Sequence, residues 1–547
     1  MDRKELILNE KLGWVISGSL NRGIEAKLDS AILVEDILVG KYVVINGTKQ
    51  RFFGMITDIS LETLDTTGLN ASLDISDPVI SQILTGTITF VKLNIMINLT
   101  ISGDAINLLE GPQPAKTVPP HYSEVFAANQ ADIESVFGKE DEKRFYIGSP
   151  LDMEMKVCLN TFELVKRSNG VFGKSGTGKT FLTRLLLIGM MQKQAAVNLI
   201  FDMHSEYGWE GKSEGGRKVK GLKQLFMANV AIFTLDEESS RRRKVSTDFV
   251  VKIGYDEIEP EDIGLLKQTL NLTDASVQAV FQLAREYGDK KWLETFFNLT
   301  DEESKTIAEK LSIHESTFRN LRRGLQSLKR FRFLVPNAPE NSVKHILGFL
   351  EKNIHVVLEF GGFDDYTAYI LVANLLTRRI YDHYRIKTEK AIAADSAEPR
   401  QLVIVVEEAH RFLNPELASQ TIFGKIAREM RKYNVTLLVI DQRPSGIDEE
   451  IMSQLGTKIT CLLDNEKDVD SVLAGVSGKN ELKYVLSKLE TKQQALIFGH
   501  AVPMPVVIKT REYGSAESYK DLGYNTGGSV NKDNADRLKN IDDLWKS

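Results

Sequence analysis

Gly173-Lys174-Ser175-Gly176-Thr177-Gly178-Lys179-Thr180 satisfies every fixed position of GxxxxGK[ST]. The glycines let the backbone curl so that its N–H groups surround phosphate oxygens, and the helix that follows presents its positive end to them. Gly170-Val171-Phe172 before the loop reads as a buried strand and Thr180 to about Lys193 as a helix, which is the context the motif demands. The reading is an ATP site: Gly173 to Thr180 with Phe181 hold the nucleotide, Lys179 reaches the β- and γ-phosphates, and Thr180 ligates Mg2+.

Outward from this loop, short apolar strands alternate with helical patterns at Asn198 to Phe201, Val356 to Phe360, Leu402 to Val406 and Val435 to Ile440. Such alternation predicts a parallel α/β sheet. It lapses between about 257 and 350, where helix-friendly stretches follow one another, so a helical insertion is expected there. Residues Lys387 to Arg400 read as a surface loop. Upstream, Leu12 to about Thr100 consists of short apolar or alternating runs broken by Gly, Asn and Asp. The clearest alternation is Leu93, Ile95, Ile97 and Leu99, with Lys92, Asn94 and Asn98 between them, which predicts a half-buried strand in a small β-barrel or sandwich. Pro112, Pro114, Pro119 and Pro120 mark a linker.

The expected organisation is a β domain over residues 1–110, a linker over 111–150, an α/β core over 151–512 and a polar tail over 513–547. At 547 residues the chain exceeds the roughly 250–300 residues at which one core stops growing. Its 42% hydrophobic and 26% charged composition is that of a globular protein. With no apolar run of membrane-spanning length, the expectation is a cytoplasmic protein with no membrane contact. Cys158 and Cys461 stand apart without CxxC spacing and read as buried small hydrophobes, which excludes a disulfide framework or a cysteine zinc cluster. The net charge of −6 argues against an overall basic coat and leaves a local basic channel open.

Leu402-Val403-Ile404-Val405-Val406-Glu407-Glu408 is an apolar strand ending in two carboxylates. Glu407 is assigned to the Mg2+ shell and Glu408 to orienting or deprotonating the attacking water. Val435 to Ile440 ends in Asp441-Gln442-Arg443-Pro444, so Gln442 sits beside those carboxylates if the strands are neighbours, placed to sense the γ-phosphate. Asp202, His204 and Glu206 have spacing that could suit a metal, yet no further His or Cys stands nearby, and a zinc site is not expected. His410 reads as a packing or coupling residue beside Glu408.

These pieces together resemble the HerA/FtsK class of P-loop motors, most closely the HerA-like ATPases. The resemblance rests on Val39-Gly40-Lys41-Tyr42-Val43, the phosphate loop, Asp202-Met203-His204-Ser205-Glu206-Tyr207, Glu407-Glu408-Ala409-His410, Arg428-Glu429-Met430-Arg431-Lys432-Tyr433 and Asp441-Gln442-Arg443-Pro444-Ser445. It spans roughly residues 10–510. Met430 replaces a glycine common in the family, and Glu407 an aspartate. The resemblance implies an assembly-type β-barrel ahead of a RecA-like ATPase core with a helical insertion, a homo-hexameric ring, and duplex DNA in its central channel. It also implies a partner nuclease or NADase-type effector, in DNA end processing or anti-phage defence. Arg431 and Arg167 match family arginines near a nucleotide and are expected to act from the next subunit, with Arg428 a weaker match. A ring that merely organises an effector enzyme, with little or no translocation, is the alternative.

Two basic stretches, Lys212, Arg217, Lys218 and Lys220, and Arg241, Arg242, Arg243 and Lys244, fit either phosphate contacts in a pore or a solvated charged surface. A GTPase is disfavoured, since no NKxD element accompanies the loop.

Overall fold

The structure is a computed structural model of the chain, and it describes residues 10–63, 89–102, 111–212, 218–363, 365–429 and 432–524. The first strands are β1 (Lys11–Ser19), β2 (Gly23–Leu28), β3 (Tyr42–Asn46), β4 (Gln50–Thr63), β5 (Thr89–Ser102), β6 (Gln113–Pro114) and β7 (Glu124–Ala127). They pair in the order β2-β1-β7-β3-β4-β5-β6, and a further β2–β5 pairing closes the ring. The N-terminal β domain is therefore a closed barrel, which removes the free strand edges a sandwich would leave. Its interior is filled by Leu12, Val15, Ile24, Val43, Ile45, Phe52, Leu93, Ile95 and Val125.

The alternation in β5 holds for Leu93 and Ile95, which face the barrel interior. A bulge then shifts the register between Phe53↔Leu99 and Gly54↔Ile97, and Leu99 joins the core of the second domain instead. A one-residue slip moves a side chain to the other face, which is how one strand serves two cores. β7, inserted between β1 and β3, lies past the proline run. The stretch expected as a linker thus begins with a barrel strand and ends with one of the ATPase sheet.

That larger sheet contains β8 (Arg144–Ser149), β9 (Val157–Asn160), β10 (Asn169–Phe172), β11 (Val197–Asp202), β12 (Val230–Thr234), β13 (Phe249–Val250), β14 (His355–Glu359), β15 (Leu402–Glu407), β16 (Val435–Asp441), β17 (Thr457–Thr460), β18 (Gln494–Gly499) and β19 (Val506–Thr510). Its order is β13-β12-β14-β11-β15-β16-β10-β17-β18-β19-β8-β9. Pairings from β13 to β17 are parallel, and those from β17 to β9 antiparallel. Strands β11, β14, β15 and β16 are buried along their whole length, as parallel strands covered on both faces must be. Helix α1 (Lys179–Gln192) carries the chain from β10 to β11. Cys158 and Cys461 are free and buried.

The region expected to be a helical insertion holds helices at Pro260–Leu265, Asp274–Tyr287, Trp292–Asn298, Asp301–Lys310, Glu315–Gln326 and Ser342–Glu351. Trp292 is fully buried among them, and its indole N–H donates to the Ile258 carbonyl at 3.1 Å. Lys387 to Arg400 is helical over its first half, to Ala393, and not a loop throughout. Helix α2 (Tyr366–Ala393) runs into it, because alanine and long charged residues are strong helix formers. The C-terminal tail begins with an ordered helix, Ala516–Asp521, and Gly527 and Gly528 lie outside the described residues. No described helix is long and apolar enough to cross a membrane.

The barrel meets the sheet through Tyr42, whose hydroxyl accepts the Val507 N–H at 2.8 Å. Deep in the sheet, His355 Nδ1 accepts the Asn198 N–H at 3.1 Å, tying β14 to β11. Burial there pushes the His355 pKa down to about 3. The unfolded imidazole takes up a proton near pH 6.5 and the folded one does not, so this contribution to stability is complete above about pH 6.5 and is lost as the pH falls toward 3. We predict that lowering the pH from 7.5 to 5.5 removes about 1 kcal/mol through this residue. Denaturant melts of wild type and His355→Asn at the two pH values check it; the variant should show the shallower pH dependence.

Candidate ATP site

The strand registers place the functional residues along one edge. Phe172 is level with Asp441 and Thr460, Glu407 with Ile440, Phe201 with Val406 and Asp202 with Glu359. The chain therefore leaves β10 for the phosphate loop at the same edge where Glu359, Asp202, Glu407 and Asp441 end their strands. This carboxyl-terminal edge is where open α/β sheets bind ligands.

Gly176 and Gly178 have φ of 78° and 92°, conformations that side-chain-bearing residues rarely adopt. A Cβ on Gly178 would meet nothing within 4 Å, so the requirement there is backbone shape. The loop is braced by the Thr177 hydroxyl donating to the Lys174 carbonyl at 2.8 Å and by Lys179 Nζ donating to the same carbonyl at 2.9 Å. Burial lowers the Lys179 pKa, while Cys461, Glu408, Asp441 and Glu407 act to raise it. Lys174 Nζ pairs with Asp464 at 3.0 Å, Ser175 is exposed, and the Phe181 ring lies 6.1 Å from that of Tyr513.

Thr180 Oγ1 donates to Glu206 Oε2 at 2.8 Å. Asp202, buried at the end of β11, accepts the N–H groups of Glu206 and Tyr207, both at 2.8 Å, and so shapes the turn that brings Glu206 to Thr180. Burial and the neighbouring Glu359 push Asp202 up to about 7. Tyr207 donates its hydroxyl to Glu407 Oε1 at 2.9 Å, and Tyr369 donates to the Glu407 carbonyl at 3.0 Å. Glu407 Oε2 is buried with no hydrogen-bond partner. Burial, then the charges of Asp202 and Glu206, hold its carboxyl far above the usual range.

A buried carboxyl with a spare oxygen, among acidic neighbours and in a site that also holds a threonine hydroxyl, is a poor resting place for a lone anion. It fits a hard divalent cation, whose charge would ionise it. Bound there, Mg2+ would neutralise charge developing on the phosphates.

Glu408 takes a left-handed backbone (φ 48°) that turns its side chain off the strand. Its Oε1 accepts from Gln442 Nε2 at 3.2 Å, so the amide and the carboxylate expected to be neighbours are in contact. His410 Nδ1 lies 2.9 Å from Asp441 Oδ2 and 3.6 Å from Glu408 Oε2. Among the described residues these three form the metal-competent cluster, and Asp202, His204 and Glu206 do not.

Arg167 precedes β10 and so stands at the opposite edge of the sheet from the phosphate loop; within one chain it is not part of the site. Arg431 falls outside the described residues. Arg428 pairs with Glu450 at 3.3 Å. The run Arg241, Arg242 and Arg243 is paired internally, with Glu237, Asp236 and Glu359 respectively. Lys218 pairs with Glu210 at 2.8 Å, and Arg217 lies outside the described residues.

The family described as "Helicase HerA, central domain" matches residues 145–380, which run from β8 through the phosphate loop and β14 into α2. Two relatives with the name "DNA double-strand break repair helicase HerA" extend the match. One, from Sulfolobus acidocaldarius, is 24% identical over 525 residues, 93% of this chain and 95% of that one. The other, from Pyrococcus furiosus, is 23% identical over 432 residues, 74% and 76% of the two chains.

The chain is similar to HerA helicases over most of its length. Among solved structures, VirB4 of Thermoanaerobacter pseudethanolicus is similar at a TM-score of 0.44 and 14% identity, covering 70% of this chain and 100% of that one. The plasmid coupling protein TrwB in complex with ADP and Mg2+ aligns at a TM-score of 0.45 and 11% identity, covering 71% and 93%. In this HerA-like chain the phosphate loop and the pair Glu407-Glu408 were legible as motifs. Glu206, Asp202 and Tyr207 were not assigned to the site, although they stood together in a segment carrying the resemblance; only the fold shows that this turn reaches Thr180 and Glu407.

Tyr207→Phe should leave both Glu407 oxygens without a donor. Loss of such a supporting contact typically costs 10–100-fold in metal affinity, so the Mg2+ concentration for half-maximal ATPase should rise at least about tenfold. A Mg2+ titration at saturating ATP checks this.

Proposed function

We propose that this HerA-like ATPase is an ATP-driven DNA motor that works as a homo-hexamer on duplex DNA in its central channel, with a partner nuclease or NADase-type effector docked on the ring. The observation that carries the reading is the alignment, along one sheet edge, of a phosphate loop, a metal-ready Glu407 and a Glu408–Gln442 pair. It occurs in a chain collinear over 93% of its length with a protein named as a DNA double-strand break repair helicase.

In this account Lys179 and the loop N–H groups hold the phosphates, Thr180 and Glu407 hold Mg2+, and Glu206 orients Thr180. Glu408 orients the attacking water, and Gln442 reports the γ-phosphate to the loop after β16. Arg167 and Arg431 contribute to a neighbour's nucleotide, consistent with Arg167 standing across the sheet from its own. Charge stabilisation by a guanidinium supplied in trans is a recurrent device in phosphoryl transfer. The barrel, a separate closed unit joined to the sheet through Tyr42, is the docking platform for the effector. The protein acts in the cytoplasm, in DNA end processing or anti-phage defence.

One observation favours a second reading, a nucleotide-operated scaffold with little translocation. The arginines of the 241–243 run are occupied by acids of their own chain rather than held free for phosphates.

The test is steady-state ATPase with and without linear duplex DNA, alongside strand displacement. The motor predicts stimulation by DNA, and loss of activity to below about one hundredth in Lys179→Ala and Glu408→Gln. A ring-forming protein whose ATPase ignores DNA overturns the motor and supports the scaffold.

A further inference from the structure

We propose that Asp441 and His410 are a positioning pair that locks the ends of β15 and β16 together, setting Glu408 and Gln442 in one fixed register for hydrolysis. The inference rests on the assignment of Glu408 to the attacking water and adds two residues that act through it.

Asp441 is the last residue of β16 and its side chain is fully buried. Its Oδ2 accepts the His410 backbone N–H at 2.6 Å and its Oδ1 the Arg443 backbone N–H at 2.7 Å. One carboxylate thus grips the chain two residues after Glu408 and one residue after Gln442. The His410 ring supplies a third contact through Nδ1 at 2.9 Å. The β15–β16 pairing runs up to Glu407↔Ile440 and is followed only by a long bond from the Ala409 N–H to the Ile440 carbonyl at 3.4 Å, so backbone pairing alone holds the groups concerned weakly.

Glu408 needs such a hold. A left-handed backbone at a residue with a side chain is strained and persists only where the surroundings over-determine it. The surroundings here are Tyr369 on the Glu407 carbonyl, the Arg411 N–H on the Glu408 carbonyl at 2.9 Å, and Asp441 on His410. Removing the Asp441 grip frees the turn to relax toward an ordinary conformation, which swings the Glu408 carboxylate away from Gln442.

The ring has a second consequence. His410 Nδ1 stands nearer to Asp441 than to Glu408, at 2.9 Å against 3.6 Å, so its proton is directed to Asp441. Glu408 keeps Oε2 unclaimed by a ring donor, and a carboxylate with an unclaimed oxygen is the better acceptor for a water proton. Asp441 therefore does two jobs, fixing where Glu408 points and drawing the imidazole proton off it.

The experiment is ATP hydrolysis without DNA, read as separate kcat and KM, in His410→Leu, His410→Asn, Glu408→Gln and the double variant Glu408→Gln/His410→Leu. Binding of a fluorescent ADP is the folding control. His410→Leu should lower kcat at least about tenfold with KM for ATP and ADP binding within about twofold. His410→Asn, whose amide NH2 falls near the place of Nδ1, should restore most of the rate. The double variant should be no slower than Glu408→Gln alone, as expected of residues acting through one group. Wild-type kcat in His410→Leu, or an Asn variant as slow as the Leu one, overturns the proposal; the second outcome would make the ring a proton carrier. Wild-type kcat in Glu408→Gln overturns both this and the assignment it rests on. A wild-type enzyme that hydrolyses ATP but ignores DNA sinks the motor and leaves this inference standing.

Discussion

Desolvation of the carboxyls that end four neighbouring strands is the constraint around which the rest of the molecule is arranged. Asp202, Glu359, Glu407 and Asp441 are all buried at one edge of a parallel sheet, where an unpaired charge is costly. Three are answered locally. Asp202 takes backbone N–H groups, Glu359 takes the Arg243 guanidinium, and Asp441 takes His410 and two backbone donors. Glu359 and Glu407 each keep one buried oxygen without a partner, but the other oxygen of Glu359 meets a guanidinium and that of Glu407 only a phenol. The uncompensated charge therefore falls on Glu407, whose strand is separated from β10 and its phosphate loop by β16 alone.

The same edge explains why so much of the chain is spent on scaffolding. Helix α1 packs on β11, the helix Ile422–Arg428 on β16, and the helix Ser342–Glu351 on β14 and β11. The barrel adds a second core that shares β5 with the first, through the bulge that turns Leu99 outward.

How far the sequence could be read follows from how local each signal is. The phosphate loop and Glu407-Glu408 are contiguous motifs, and their chemistry survives without knowledge of the fold. The parallel sheet was legible in the apolar runs that became β11, β14, β15 and β16. What escaped depended on distant partners. β7 is four residues long and follows a proline run, so only its place between β1 and β3 identifies it. Arg243 looked like part of a basic patch because its acid, Glu359, lies 116 residues away. Glu206 stood in a segment that carries the resemblance, and only the turn held by Asp202 shows that it reaches Thr180. The last turns of α2 were read as the start of a surface loop because alanine and charge suit both a surface loop and a solvated helix end.

The central claim is that Mg·ATP is held across this edge, between the loop at Thr180 and the spare oxygen of Glu407. A crystal structure with a non-hydrolysable ATP analogue and Mn2+ in place of Mg2+ tests it most directly. The account predicts an anomalous peak about 2.1 Å from Thr180 Oγ1, on the side facing Glu407, with Glu408 and Gln442 turned toward the γ-phosphate. A metal bound instead among Glu408, His410 and Asp441, or a nucleotide seated away from the Gly173–Thr180 loop, would contradict it.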